Sequence, residues 1–118
     1  MGVLVMQEYE KIFKAFADKN RLRILKLLEY KDFCVCELAF IIGIAQPSIS
    51  RHLTKLRKTG LITSYQESFW TNYSLNRQGN NTVKILLGNL SAWMNDNETV
   101  KKDKEKAIKA DRNRLCRK

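Results

Sequence analysis

One proline, one histidine and five glycines among 118 residues leave this chain little of the material from which disordered segments and all-β folds are built. The lone His52 has no second histidine or paired carboxylate at catalytic or metal-motif spacing, which argues against general-base work. No Cys-x-x-Cys pair and no nucleophile loop after a strand are present, so a thiol enzyme is not expected. No apolar run approaches the roughly 18 residues of a membrane span. The amino terminus lacks the charged start and sustained apolar stretch of a signal peptide, and Met6 stands where a myristoylation signal needs Ser or Thr. Three cysteines, an odd number, fit free thiols better than a disulfide framework, and the expected setting is a reduced cytoplasm.

What is present is a globular proportion of apolar residues, 44%, in a chain long enough for one domain. The net charge is +10, which favours an anionic partner such as nucleic acid or an acidic membrane. Residues 97–118 hold nine Lys/Arg against four acids, so half of the excess lies in the rest of the chain. The basic residues do not sit opposite one long apolar face, and membrane binding is therefore not expected.

Helical spacing brings Tyr9, Ile12, Phe13, Phe16 and Ala17 to one face of residues 5–17. Asp18 is placed to cap a second helix, 19–30, with Leu22, Leu25 and Leu28 as its stripe. A third helix is expected from about Cys34 to Ile42, and Gly43 allows a tight corner. The fourth has Pro47 in its first turn, where a missing N–H costs nothing, and Gly60 at its end. Its inner stripe is Ile49, Leu53 and Leu56. Arg51, Thr54, Lys55 and Lys58 fall on the other side. Two helices joined by a glycine turn, the second polar and basic outside, make a helix-turn-helix.

From Leu61 to Leu75, β-favouring residues flank the polar bend Gln66-Glu67-Ser68, as in a two-stranded wing. Residues 78–95 return to helix with Val83, Leu86, Leu87, Leu90, Trp93 and Met94 on one stripe. The expected class is mainly α with a β-hairpin wing (α+β), in the order α-α-α-α-β-β-α. Residues 1–95 are expected to form the DNA-binding and dimerisation domain, and 96–118 a charged helical extension or a flexible tail.

On the fourth helix, Gln46, Ser48, Ser50 and Arg51 are candidates for base edges, since Gln pairs with adenine, Arg with guanine and Ser with either. Thr54, Lys55, Arg57 and Lys58 are candidates for phosphates. His52 lies on the same helix. Cys34 and Cys36 are soft-ion ligands by chemistry, and a helix N-terminus is expected to lower their thiol pKa. Yet residues two apart on an α-helix point about 200° away from each other. Both sulfurs reach one ion only if the first turn distorts, and that distortion is one way to couple binding to DNA release.

Four segments in order, AFADKNRLRILKLL (15–28), FCVCELA (33–39), QPSISRHLTKLRKTGLI (46–62) and WTNYSL (70–75), resemble the ArsR/SmtB family of metal-responsive winged-helix repressors. The Cys-Val-Cys element is similar to that of its arsenic-responsive branch. The resemblance implies a homodimer on an imperfectly palindromic double-stranded operator, with no constitutive cofactor. It also implies release when As(III) or Sb(III) binds Cys34 and Cys36, controlling an arsenic-resistance operon. For His52 the resemblance implies a backbone contact or a packing role. Ala39 stands where many arsenic-sensing relatives carry a third cysteine. Cys116, flanked by Arg114 and Arg117, is the remaining candidate for a third thiolate, from its own or the partner subunit; otherwise a solvent or small-thiol ligand completes a two-cysteine site. The resemblance pairs the first and last helices across a two-fold axis, with Tyr9, Ile12, Phe13, Leu86, Leu90 and Trp93 as interface candidates. The family's zinc sensors use Asp, His and Glu of the last helix, absent from 78–95, and its cadmium and lead sensors use amino-terminal cysteines, absent from 1–33. The alternative is a regulator that senses thiol oxidation, or another soft metal (Cd, Pb, Zn), through the same cysteines.

Overall fold

The computed structural model describes residues 4–111 and 115–116. Arg114 and Arg117, expected to flank the Cys116 thiolate with positive charge, lie outside the described residues, as does the Met-Gly start. The described elements are α1 (Met6–Phe16), α2 (Lys19–Tyr30), β1 (Phe33–Cys34), α3 (Val35–Ile42), α4 (Gln46–Lys58), β2 (Ile62–Glu67), β3 (Trp70–Leu75), α5 (Asn81–Leu90) and α6 (Glu98–Lys109). The three strands form one antiparallel sheet in the order β1-β3-β2.

Helix boundaries follow from capping chemistry. Asp18 Oδ1 accepts hydrogen bonds from the Asn20 and Arg21 amides at 2.9 and 3.1 Å, satisfying two orphan donors of α2. Asn80 and Asn97 each accept one amide, from Val83 and Val100, at the starts of α5 and α6. Gly43 ends α3 at φ 81° and Gly60 follows α4 at φ 80°, both in the left-handed region where a Cβ is costly. Asp18→Ala is therefore expected to lower stability by about 1 kcal/mol. In urea this should appear as a lower midpoint at unchanged slope.

The core is built from α2 (Ile24, Leu25, Leu28), α3 (Leu38, Ile41), α4 (Ile49, Leu53, Leu56) and the strand entry Leu61-Ile62. The α4 stripe expected from periodicity is the buried one. One element was not visible in the pattern. Phe33–Cys34 is a two-residue strand, too short to show a period, which pairs Phe33 with Tyr73 and Cys34 with Asn72. The third helix accordingly begins at Val35 rather than Cys34.

The helix expected over 78–95 stops early, at Leu90, and Met94 takes φ 65°. In the segment expected as a helical extension or a flexible tail, a separate α6 packs on α2 and α3. Asp103 is buried in α6 and grips Arg23 of α2 with two bonds of 2.8 Å. Lys26 is buried too, surrounded by Glu29 Oε1 at 2.6 Å and by Leu90 O and Asn95 Oδ1, each at 3.0 Å. Its three donors are thereby met, and the end of α5 is tied to α2.

Candidate functional site: a thiol cluster beside a DNA-reading helix

The cysteine cluster forms where β1 hands over to α3. Cys34 is the N-cap, with extended φ −93° and ψ 173°, and its amide donates to Glu37 Oε1 at 3.0 Å. Cys36 lies one residue inside the first turn. The expected 200° divergence assumed that both were helical. With Cys34 outside the helix, the two sulfurs converge and no distortion is needed to bring them together.

Cys116 reaches the same place from beyond α6, within its own subunit. Its sulfur lies 3.9 Å from that of Cys34 and is joined to Cys36 in a disulfide. All three sulfurs are within 4.8 Å of one another. Cys34 and Cys116 are buried and Cys36 is half-buried. Burial pushes the Cys34 thiol up from its ordinary range, assisted by the Glu37 carboxylate and opposed by the Glu37 and Cys36 amides. This corrects the expectation of a lowered value. The helix N-terminus does pull it down, but desolvation is the larger effect.

On α4, Gln46, Ser50, Arg51, Thr54, Lys55, Arg57 and Lys58 are exposed, while Ser48 and His52 are half-buried. Arg51 Nη2 donates to Ser48 Oγ at 3.1 Å. His52 is drawn inward: Arg21 Nη1 lies 3.1 Å from its Nδ1. Arginine can only donate, so Nδ1 accepts and the ring is neutral. Burial pushes the imidazole below its ordinary range, against the pull of the Asp18 carboxylate. The unfolded chain therefore takes up this proton first as pH falls. The stabilisation is present above about pH 6.5 and is lost as pH drops through the folded-state value. A stability–pH profile from about pH 7.5 to 5 should fall, and His52→Asn, which keeps an acceptor for Arg21, should flatten that segment.

Of the interface candidates, Leu90 is fully buried within its own subunit and Ile12 is 3% exposed. Both are core residues with no surface left for a partner, which corrects their assignment. Tyr9 is half-buried and Leu86 is 8% exposed, whereas Phe13 and Trp93 are exposed. Phe13, Leu86 and Trp93 line an apolar groove of about 340 Å³ together with Phe16, Leu22 and Met94.

Sequence reasoning missed Glu37, Arg21, Arg23 and Asp103. Glu37 had a signal, lying three residues after the N-cap as in a capping box. The other three sit among many charges, and nothing local marks them as partnered.

A helix-turn-helix with an exposed basic second helix and a hairpin wing defines a winged-helix transcriptional regulator, a DNA-binding class rather than an enzymatic one. The description "Bacterial regulatory protein, arsR family" matches residues 18–64. The HTH-type transcriptional regulator MJ1325 of Methanocaldococcus jannaschii is 46% identical over 72 residues, spanning 58% of this chain and 81% of the relative. The arsenic resistance transcriptional regulator ArsR2 of Pseudomonas putida is 33% identical over 91 residues, covering 73% and 79% of the two chains. The structure of HlyU from Vibrio cholerae superposes with a TM-score of 0.62 at 29% identity, over 73% of this chain and 90% of that one. The chain belongs to the arsR family of DNA-binding transcriptional regulators. Among the described residues, no helix is long and apolar enough to cross a membrane.

Proposed function

We propose that this regulator is a repressor of an arsenic-resistance operon, holding a palindromic operator as a homodimer and leaving it when As(III) or Sb(III) occupies the Cys34, Cys36 and Cys116 thiols. The observation that carries this reading is the convergence of three sulfurs within 4.8 Å. Among the described residues the ligand cluster is three thiols, a soft donor set that suits a trivalent metalloid, whereas a structural zinc site wants four protein ligands. Exchange with arsenite, As(OH)₃, breaks three As–O bonds and forms three As–S bonds, each thiol proton leaving with a hydroxyl as water. It requires that the Cys36–Cys116 disulfide first be reduced by a cellular thiol, two electrons restoring both sulfhydryls.

The coupling route runs through α6. Arg23 holds Asp103 of α6 and also donates to Ile42 O at 3.3 Å, the last residue of α3 before the Gly43 corner. One guanidinium thus joins α6 to the turn that orients α4. Fixing the chain beyond α6 to the start of α3 shifts the load on that link. The DNA-contacting set is Gln46, Ser50, Arg51, Thr54, Lys55, Arg57 and Lys58, with Ser48 at its edge. The partner subunit covers Phe13, Leu86 and Trp93, an apolar face that water would otherwise meet.

The test is fluorescence anisotropy of reduced protein on duplex DNA from its own promoter, titrated with arsenite and, separately, with zinc and cadmium. Release by arsenite supports the reading, and tight binding indifferent to arsenite overturns it. The Cys36–Cys116 disulfide favours a second reading, in which oxidation of the same thiols is the signal. The oxidation-sensing alternative placed the signal on Cys34 and Cys36, but Cys34 is buried and Cys36 pairs with Cys116. DNA affinity that differs between the oxidised and reduced proteins, with no response to arsenite, would favour it.

A further inference from the structure

Between α1 and α4 runs a groove of about 250 Å³ whose lining includes five cationic side chains and no carboxylate: Lys11, Lys14, Arg21, Lys55 and Lys58. Lys11 and Lys14 are three residues apart on α1, and Lys55 and Lys58 three apart on α4, so each pair shares a helix face. Arg21 fixes the two helices in place. Its Nε donates to Ala15 O at 2.9 Å, Nη2 to Lys14 O at 3.2 Å, and Nη1 to His52 of α4. Arg21 is thus occupied with structure, and the four exposed ammonium groups are the ones available to a ligand. Lys14 lies 3.5 Å from Glu10, but both side chains are more than half exposed, and such a pair contributes little.

The groove's charged lining residues are all of one sign, which an anion complements. We infer that this groove receives the phosphodiester backbone of DNA flanking the bases that α4 reads, which makes α1 a DNA-contacting helix. The cations cross from α1 onto α4 and continue the exposed row of Arg51, Thr54 and Lys58, as a polyanion running past the recognition helix requires. The lining has no aromatic ring and no carboxylate with which to select a free nucleotide. The family resemblance gives α1 to dimerisation alone. Its apolar edge at Phe13 and its basic edge at Lys11 and Lys14 instead serve two partners. This inference rests on the reading of α4 as the DNA-binding helix.

The test compares wild type with Lys11→Ala/Lys14→Ala on promoter and unrelated duplexes, by anisotropy across a salt series from about 50 to 300 mM. Each phosphate contact contributes about 0.9 to the slope of log affinity against log salt, so the slope should fall by about 1.8 per bound subunit. At about 150 mM salt the same relation gives roughly 30-fold weaker binding per subunit, equal on both duplexes. Lys102→Ala/Lys109→Ala, which removes the same charge from exposed positions on α6 outside the groove, should leave the slope near wild type. Wild-type binding with an unchanged slope in the α1 variant overturns the inference, as does an equal drop in the α6 variant. No wild-type binding to either duplex overturns the DNA-binding reading itself. Both α1 side chains are exposed, and an unchanged melting temperature confirms that the fold is kept.

Discussion

Arsenite should weaken the hold of the reduced protein on its operator by about 5–150-fold, the usual range of allosteric coupling, and removing either Cys34 or Cys36 should abolish that response. Cys34→Ala is the better variant at the first position. The site is buried, and a serine hydroxyl without a partner there costs about 1–3 kcal/mol. Basal DNA affinity should survive in both variants, because neither cysteine lies on α4. Cys116→Ser retains two thiols on the α3 side and should still take up arsenite, about 100-fold more weakly as a multivalent site loses one arm, but with the chain beyond α6 no longer held to α3 it should not release DNA. Unreduced protein provides the sharpest contrast. With Cys36 and Cys116 joined, only the Cys34 thiol is free, and it is buried with its pKa raised. Without reductant, arsenite should therefore release nothing. If the Cys34 and Cys36 variants respond like wild type, the thiols are not the sensor.

The DNA-reading half of this molecule is written in local signals. Pro47, Gly43 and Gly60 mark the ends of helices by backbone chemistry, and Ile49, Leu53 and Leu56 mark the inner face by period, so α4 and its corner could be read directly. The thiol site was legible in composition but not in geometry. Cys34 and Cys36 were visible as a pair, yet their convergence depends on Cys34 joining β3 through a two-residue strand, a tertiary pairing that no local period records. The meeting with Cys116 depends likewise on α6 turning back onto α2. The residue that anchors it, Asp103, is one acid in the run KKDKEK and looks like its solvated neighbours. Only Arg23, 80 residues away, distinguishes it. Leu90 was misassigned for a related reason. An apolar stripe tells which face is buried but not whether the cover comes from the same subunit.

Breaking that anchor is expected to separate sensing from output. Asp103 has 4% of its side chain exposed and Arg23 has 21%, so Asp103→Ala leaves a guanidinium facing a largely dry interface. Removing one partner of such a pair typically costs about 3–5 kcal/mol, and the partial exposure of Arg23 places the expectation near about 3. Denaturation in urea measures it. A loss of that size could by itself disturb DNA binding, so the decisive variant is Arg23→Met/Asp103→Leu, in which apolar side chains replace the pair. Such replacements are often neutral or stabilising. The double variant should regain most of the lost stability, bind operator DNA and take up arsenite, as counted by thiols protected from alkylation. Its α6 would still pack, but the bond from Arg23 to Ile42 O would be gone, and with it the link to the Gly43 corner. Arsenite should then change DNA affinity less than about twofold, against the 5–150-fold expected of wild type. Full release from the double variant would show that the signal passes directly along α3, from Cys36 in its first turn to Ile42 at its end, without α6.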